Sequence, residues 1–135
     1  MRGLSAREFA LDLKKFGNVT REKATIIFQK IAIELDTAVV LGTPVDEGRA
    51  RGNWFPSINT PSSEVTDAVD KDGSRSVNAA TSTASTARLG ETVWLTNNLP
   101  YILPLENGWS GQAPEGMVDI NLNAVQAKYG GRIER

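Results

Sequence analysis

Between Asn97 and Val118 the chain carries Pro100, Pro104 and Pro114 together with Gly108, Gly111 and Gly116. Each proline fixes φ and removes an N–H donor, and each glycine opens backbone conformations closed to other residues. A plain helix or strand does not survive that density, so the backbone here is expected to follow a defined irregular path. Leu99, Tyr101, Leu103, Leu105 and Trp109 are spaced along it to hold it in place. Irregular segments on a rigid scaffold are where binding and assembly surfaces sit.

The same stretch is electrostatically one-sided. From Leu89 to Ala127 there is no Lys or Arg, while Glu91, Glu106, Glu115 and Asp119 fall inside. Such an acidic tract suits a basic partner surface or a basic face of a second copy. The whole chain is nearly neutral, with 15 basic and 16 acidic residues. That balance gives no global attraction to nucleic acid or to an anionic membrane. The 135 residues, 40% of them hydrophobic and 23% charged, predict one globular domain over 1–135. Cysteine and histidine are both missing. Disulfides, thiolate zinc sites and Cys nucleophiles are thereby excluded, together with the usual neutral-pH general base. The N-terminus shows no charged, apolar and small-residue succession, so no signal peptide is expected. The longest uncharged apolar run, Thr37 to Val45, is far short of a membrane span.

Ser5 and Glu8 form a capping-box pattern that opens a short helix through Phe16, with Phe9, Leu13 and Phe16 on one face and Gly17 ending it. Thr20 caps a longer helix to about Leu41. Its stripe is Ala24, Ile27, Phe28, Ile31, Leu35, Ala38 and Val39, and Lys23, Lys30, Glu34 and Asp36 are assigned to a solvated face. Gly42 and Pro44 stop it. Asp46 to Gly48 predicts a turn, and Arg51 to Ile58 a strand that Pro56 places at an edge or bulge. Residues 57–88 are rich in Ser, Thr and Ala and predict a mobile loop, a turn at Asp72-Gly73 and a weak helix near Val77 to Leu89. Glu91 to Thr96 predicts a strand. Met117 to Leu122 predicts another from its alternation, followed by a helix from Ala124 to Tyr129 capped by Asn123. The order gives an α+β fold, with two N-terminal helices packed on a small, mostly antiparallel sheet and a short C-terminal helix.

Asp46, Glu47, Glu106 and Glu115 are the acids in turn-like surroundings. Paired carboxylates serve glycoside hydrolysis or hold a divalent cation, and Asp46 with Glu106 is the pair such an enzyme would use. The competing assignment has them capping turns and pairing with Arg49, Arg51 or Arg88. No partner base or ligand-loop pattern accompanies them, so no catalytic, metal or cofactor residue is assigned, and the chain is not expected to be an enzyme. Arg49 and Arg51 beside Trp54 suit phosphate or single-stranded nucleic acid, or a contact with carboxylates. On a strand the two would share a face, which also suits a subunit contact with the acidic tract. Trp94 is expected in the core, Trp109 between Gly108 and Ser110 at an interface, and Tyr101 at either. Phosphate-loop fingerprints are absent.

Two motifs run through these residues: Thr43-Pro44-Val45-Asp46-x-Gly48-x-x-Arg51-Gly52-Asn53-Trp54, and Thr96-Asn97-Asn98-Leu99-Pro100-Tyr101 continuing through Leu105, Glu106, Gly108, Ser110, Gln112-Ala113-Pro114 and Gly116-Met117-Val118. Their order, across an Ala-rich variable section, resembles the tail-completion or neck proteins of long-tailed double-stranded DNA bacteriophages and prophages. The likeness covers about two-thirds of the chain, and an acid at Glu47 departs from the basic or small residues of that pattern. The resemblance implies a virion structural protein that joins the tail to the capsid connector as a homo-oligomeric ring, such as a hexamer or dodecamer. Its partners would be other neck and tail proteins, with DNA passing nearby without sequence-specific recognition and no membrane involved. It would reside in the virion, after assembly in the host cytoplasm. A tail terminator, a head-side connector subunit and a small prophage DNA-binding protein are the alternatives. The candidate assembly residues are Asp46, Arg49, Arg51, Trp54, Tyr101, Glu106, Trp109 and Gln112.

Overall fold

A computed structural model describes residues 20–129. The expected helix from Ser5 to Phe16 lies outside the described residues, as do Gly130 and Gly131. Helix α1 (Arg21–Gly42) is the backbone of the molecule. Thr20 caps it by accepting the Lys23 N–H at 3.3 Å, and its apolar stripe buries Ala24, Phe28, Ile31, Ala32, Leu35, Val39 and Val40. The far end closes where the Thr43 hydroxyl donates to the Val39 carbonyl at 2.7 Å, ahead of Pro44.

The fold is α+β. A two-stranded antiparallel sheet pairs β1 (Phe55–Ile58) with β2 (Val93–Thr96) in the register Phe55 to Thr96 and Ile58 to Val93. Helix α2 (Ser74–Ala84) packs on α1 and on β1, and α4 (Asp119–Tyr129) also packs on α1. Between β2 and α4 lies the short helix α3 (Ile102–Glu106). Pro104 is tolerated there because it sits in the first turn, where its missing N–H has no helical acceptor. Phe28, Leu35, Trp54, Leu95, Ile102, Met117 and Leu122 form the shared core.

Three predicted elements are corrected. Arg51–Asn53 is a turn of 3₁₀ helix, so the strand begins only at Phe55, and Arg49 and Arg51 do not alternate on a strand face. Met117 to Leu122 is not a strand: it leads into α4, which begins at Asp119 and needs no cap from Asn123. Val118, Leu122 and Val125 are buried while Ile120 is exposed, which is helical spacing that imitates a period of two over five residues. The segment 57–88, expected to be a mobile loop with little to anchor a core, is instead tied down throughout. Asn53 brackets Thr66, donating to its carbonyl and accepting its N–H, both at 2.9 Å. Asn98 donates to the Ser62 carbonyl at 2.9 Å, and the Asp70 N–H donates to the Gly48 carbonyl at 2.9 Å. Helix α2 starts earlier than expected, at Ser74, because the Asp70 carboxylate accepts the Ser76 N–H at 2.8 Å. Its Ala80 and Ala84 are fully buried; small side chains here allow close packing.

Asp36 also departs from its predicted solvated face. It is 2% exposed, and its Oδ2 has no hydrogen-bond partner among the described residues. Burial pushes its carboxyl well above the usual carboxylate range. A raised folded-state pKa means the folded chain holds a proton that the unfolded chain releases. Stability is therefore expected to fall as pH rises from about 4 through the folded-state pKa. Asp36→Asn should flatten that slope and leave the protein about 1–3 kcal/mol more stable than the parent at pH 7, checked by urea unfolding across a pH series.

Candidate functional site

The irregular segment is built on two glycines and one carboxylate. Gly108 and Gly116 have φ of +87° and +77°. A Cβ at Gly108 would meet the Pro114 carbonyl oxygen, and one at Gly116 would meet the Glu106 carbonyl oxygen. The two turns bring Glu106 against the start of α4. Its Oε1 accepts the Met117 and Val118 N–H groups at 2.9 and 2.8 Å, and its Oε2 accepts that of Asp119 at 3.0 Å. Three successive donors leading into the helix N-terminus are thus met by one residue lying more than ten positions upstream. The Trp109 N–H donates to the Pro104 carbonyl at 3.2 Å, which fixes the loop that carries the indole.

The first motif is held against the second by the Gln112 side chain. Its Oε1 accepts the Val45 N–H at 2.9 Å and its Nε2 donates to the Val45 carbonyl at 2.8 Å, as a neighbouring strand would. Asn97 spans the motifs at a second point, donating to the Ala50 carbonyl at 2.9 Å. Between these ties lies an open groove of ≈ 400 Å³, lined among others by Pro44, Asp46, Glu47, Tyr101, Leu105 and Ser110.

Of the eight predicted residues, the structure gathers Asp46, Arg49, Tyr101 and Gln112 along this groove. Trp109, the next residue to Ser110, is 79% exposed, and Tyr101 is 38% exposed. Three others are turned into the fold. Trp54 is buried, and its indole N–H donates to the Thr43 hydroxyl at 2.8 Å. Glu106 is committed to α4 and does not line the groove that Asp46 lines, so the two do not form a carboxylate pair. Arg51 spreads its guanidinium over the chain's own carbonyls: Leu41 at 2.8 Å, Thr43 at 3.0 Å and Lys71 at 2.8 Å. Arg49 pairs with the exposed Asp67 at 3.0 Å. The two arginines are therefore not presented together as a phosphate-binding patch. Trp94, expected in the core, is half-buried and donates to the Asn59 carbonyl at 2.8 Å.

Glu47, Leu105 and Ser110 join the groove without having been selected from sequence as its walls. Only the turn chemistry around Glu47 and Ser110 hinted at them. Among the described residues no three His, Cys, Asp or Glu side chains gather as a metal cluster, and no helix is long and apolar enough to cross a membrane.

The division between internal and presented residues is measurable. Glu106→Ala strips three N–H groups of their acceptor and should cost about 2–3 kcal/mol in chemical denaturation. Arg51→Ala, which frees the carbonyls at the end of α1, should cost about 1–3 kcal/mol. Either variant unfolding at the parental denaturant concentration would contradict the internal assignment.

Comparison of the chain with protein-family models, with curated proteins and with solved structures finds no match.

Proposed function

We propose that this protein is a structural subunit of the head–tail junction of a long-tailed phage, working in tail completion as a ring that joins the tail to the capsid connector. Its station would otherwise be that of a tail terminator or a head-side connector subunit. The observation that carries the reading beyond the motif resemblance is Trp109, 79% exposed on a loop pinned at both ends. An indole offers some 150–250 Å² for burial, and Trp is enriched among residues that dominate protein interfaces. Fixing it before contact avoids the ordering cost that a flexible loop would incur on binding. A surface made this way suits assembly. The protein would act without catalytic residue or cofactor, in contact with neighbouring neck and tail proteins while DNA passes close by.

Trp109 also supplies the test, since its side chain carries little of the fold. Trp109→Ser should unfold within about 0.5 kcal/mol of the parent. Introduced into the phage that encodes the protein, it should leave filled heads and finished tails unjoined in electron micrographs, with infectious titre reduced at least a hundredfold. Parental titre and normally joined particles would overturn the proposal.

A further inference from the structure

The first motif runs out into a second pocket, of ≈ 510 Å³, with Trp54, Phe55, Pro56, Val65 and Ala79 in its wall. Gly52 is what opens it. A Cβ there would stand 2.8 Å from the Ala68 carbonyl oxygen and 2.9 Å from Nη2 of Arg75, so the missing side chain is the room in which the guanidinium lies. Arg75 is exposed and has no ion-pair partner among the described residues; its guanidinium makes only a 3.4 Å bond to the Val69 carbonyl. The acids of the same segment are engaged elsewhere, since Glu64 accepts the Ser62 hydroxyl and Asp67 pairs with Arg49. Val65 in the wall and Val69 beside the guanidinium are each more than half exposed. A cation on an open apolar wall is complemented by an aromatic ring with a carboxylate next to it.

The second motif presents that pair. Gly108 packs so closely on Pro114 that a Cβ would meet the Pro114 carbonyl, which sets the next residue of each strand of the loop, Trp109 and Glu115, at neighbouring backbone positions. Both are exposed, Trp109 to 79%. Trp109 does not line the Arg75 pocket of its own chain, and the bond from its N–H to the Pro104 carbonyl holds its loop in place. We propose that Trp109 and Glu115 of one copy dock into the Gly52–Arg75 pocket of a second copy of this chain. The indole lies against the apolar wall and under the guanidinium, and the Glu115 carboxylate supplies the missing ion pair. The two sequence motifs are then the two halves of one contact, the first as acceptor and the second as donor. Such a contact is head-to-tail, and repetition of it generates a ring when the rotation closes. This inference rests on the ring-forming reading above and names the surfaces through which the copies join.

Sedimentation of the full-length chain over a concentration series tests the contact. Trp109→Ser removes the donor, and Ala79→Trp, at an exposed position of α2, fills the acceptor. Each variant, unfolding as cooperatively as the parent, should stay monomeric where the parent associates. Their equimolar mixture should give a dimer and nothing larger, because it contains one intact donor surface and one intact pocket. Arg75→Glu should weaken self-association about tenfold at low salt, less at high salt, and Glu115→Arg in the same chain should recover it. The proposal is overturned by an Ala79→Trp chain that associates like the parent, by a mixture that stays monomeric, by a charge swap that recovers nothing, or by a parent that is monomeric at every concentration. Any of these, alongside unjoined heads and tails in the Trp109→Ser phage, would remove this contact and leave the junction reading standing. Parental titre from that phage would remove both.

Discussion

At the C-terminal end of α1 the Arg51 guanidinium gathers the carbonyls of Leu41, Thr43 and Lys71. A helix end leaves its last carbonyls without intrahelical partners, and a cation there also meets the negative end of the helix dipole. The same side chain ties the segment before α2 to the helix, and Trp54, three residues on, donates to Thr43 from within the core. The first motif, the end of the longest helix and the start of α2 are therefore fastened at one place. The groove begins immediately beyond it, at Pro44.

That arrangement compensates for how little regular sheet the chain possesses. Two strands of four residues cannot satisfy the backbone of the long connections around them. Carboxamides take the place of missing strands: Asn53 on Thr66, Gln112 on Val45, Asn97 on Ala50 and Asn98 on Ser62. Each carries both donor and acceptor on a short planar group, which lets one side chain imitate a peptide unit. The motifs thus consist largely of fastenings. Their exposed remainder, Asp46, Tyr101 and Trp109, lies beside these fastenings, of which Asn53 and Asn97 are fully buried.

The sequence pattern disclosed the fold wherever the signal was local. The stripe of α1, the Thr20 cap and the strand ending at Thr96 follow from periodicity and from residues within a turn of one another. The density of Pro and Gly rightly marked 97–118 as irregular, though it hid a five-residue helix that uses Pro104 in its first turn. Distance in sequence concealed the rest. Nothing near Met117 signals a helix start, because its cap is Glu106. The Ser/Thr-rich segment read as loose because its anchors, Asn53 and Asn98, lie outside it. Arg51 read as a surface residue because its acceptors are carbonyls, which composition does not display. Asp36 was placed on the wrong face because a carboxylate is normally a solvated residue.

The acidic tract takes on a different meaning once its members are followed individually. Glu106 is consumed by the N–H groups of Met117, Val118 and Asp119 at the entry to α4, and Glu91 accepts the Arg88 N–H at 2.7 Å. Asp119 stands in the first turn of α4, where a negative charge complements the helix dipole. Of the four acids only Glu115 is left on exposed, irregular backbone. The lack of Lys and Arg over Leu89 to Ala127 therefore does not by itself make an acidic face. What makes one is the first motif, which brings Asp46 and Glu47 alongside Tyr101 and Ser110 of the second. Much of the charge dispersed along the tract is used up inside the fold, while the first motif places two exposed acids, Asp46 and Glu47, on one groove. On the proposed assembly reading, a groove so composed would complement a partner surface that is cationic and apolar at once.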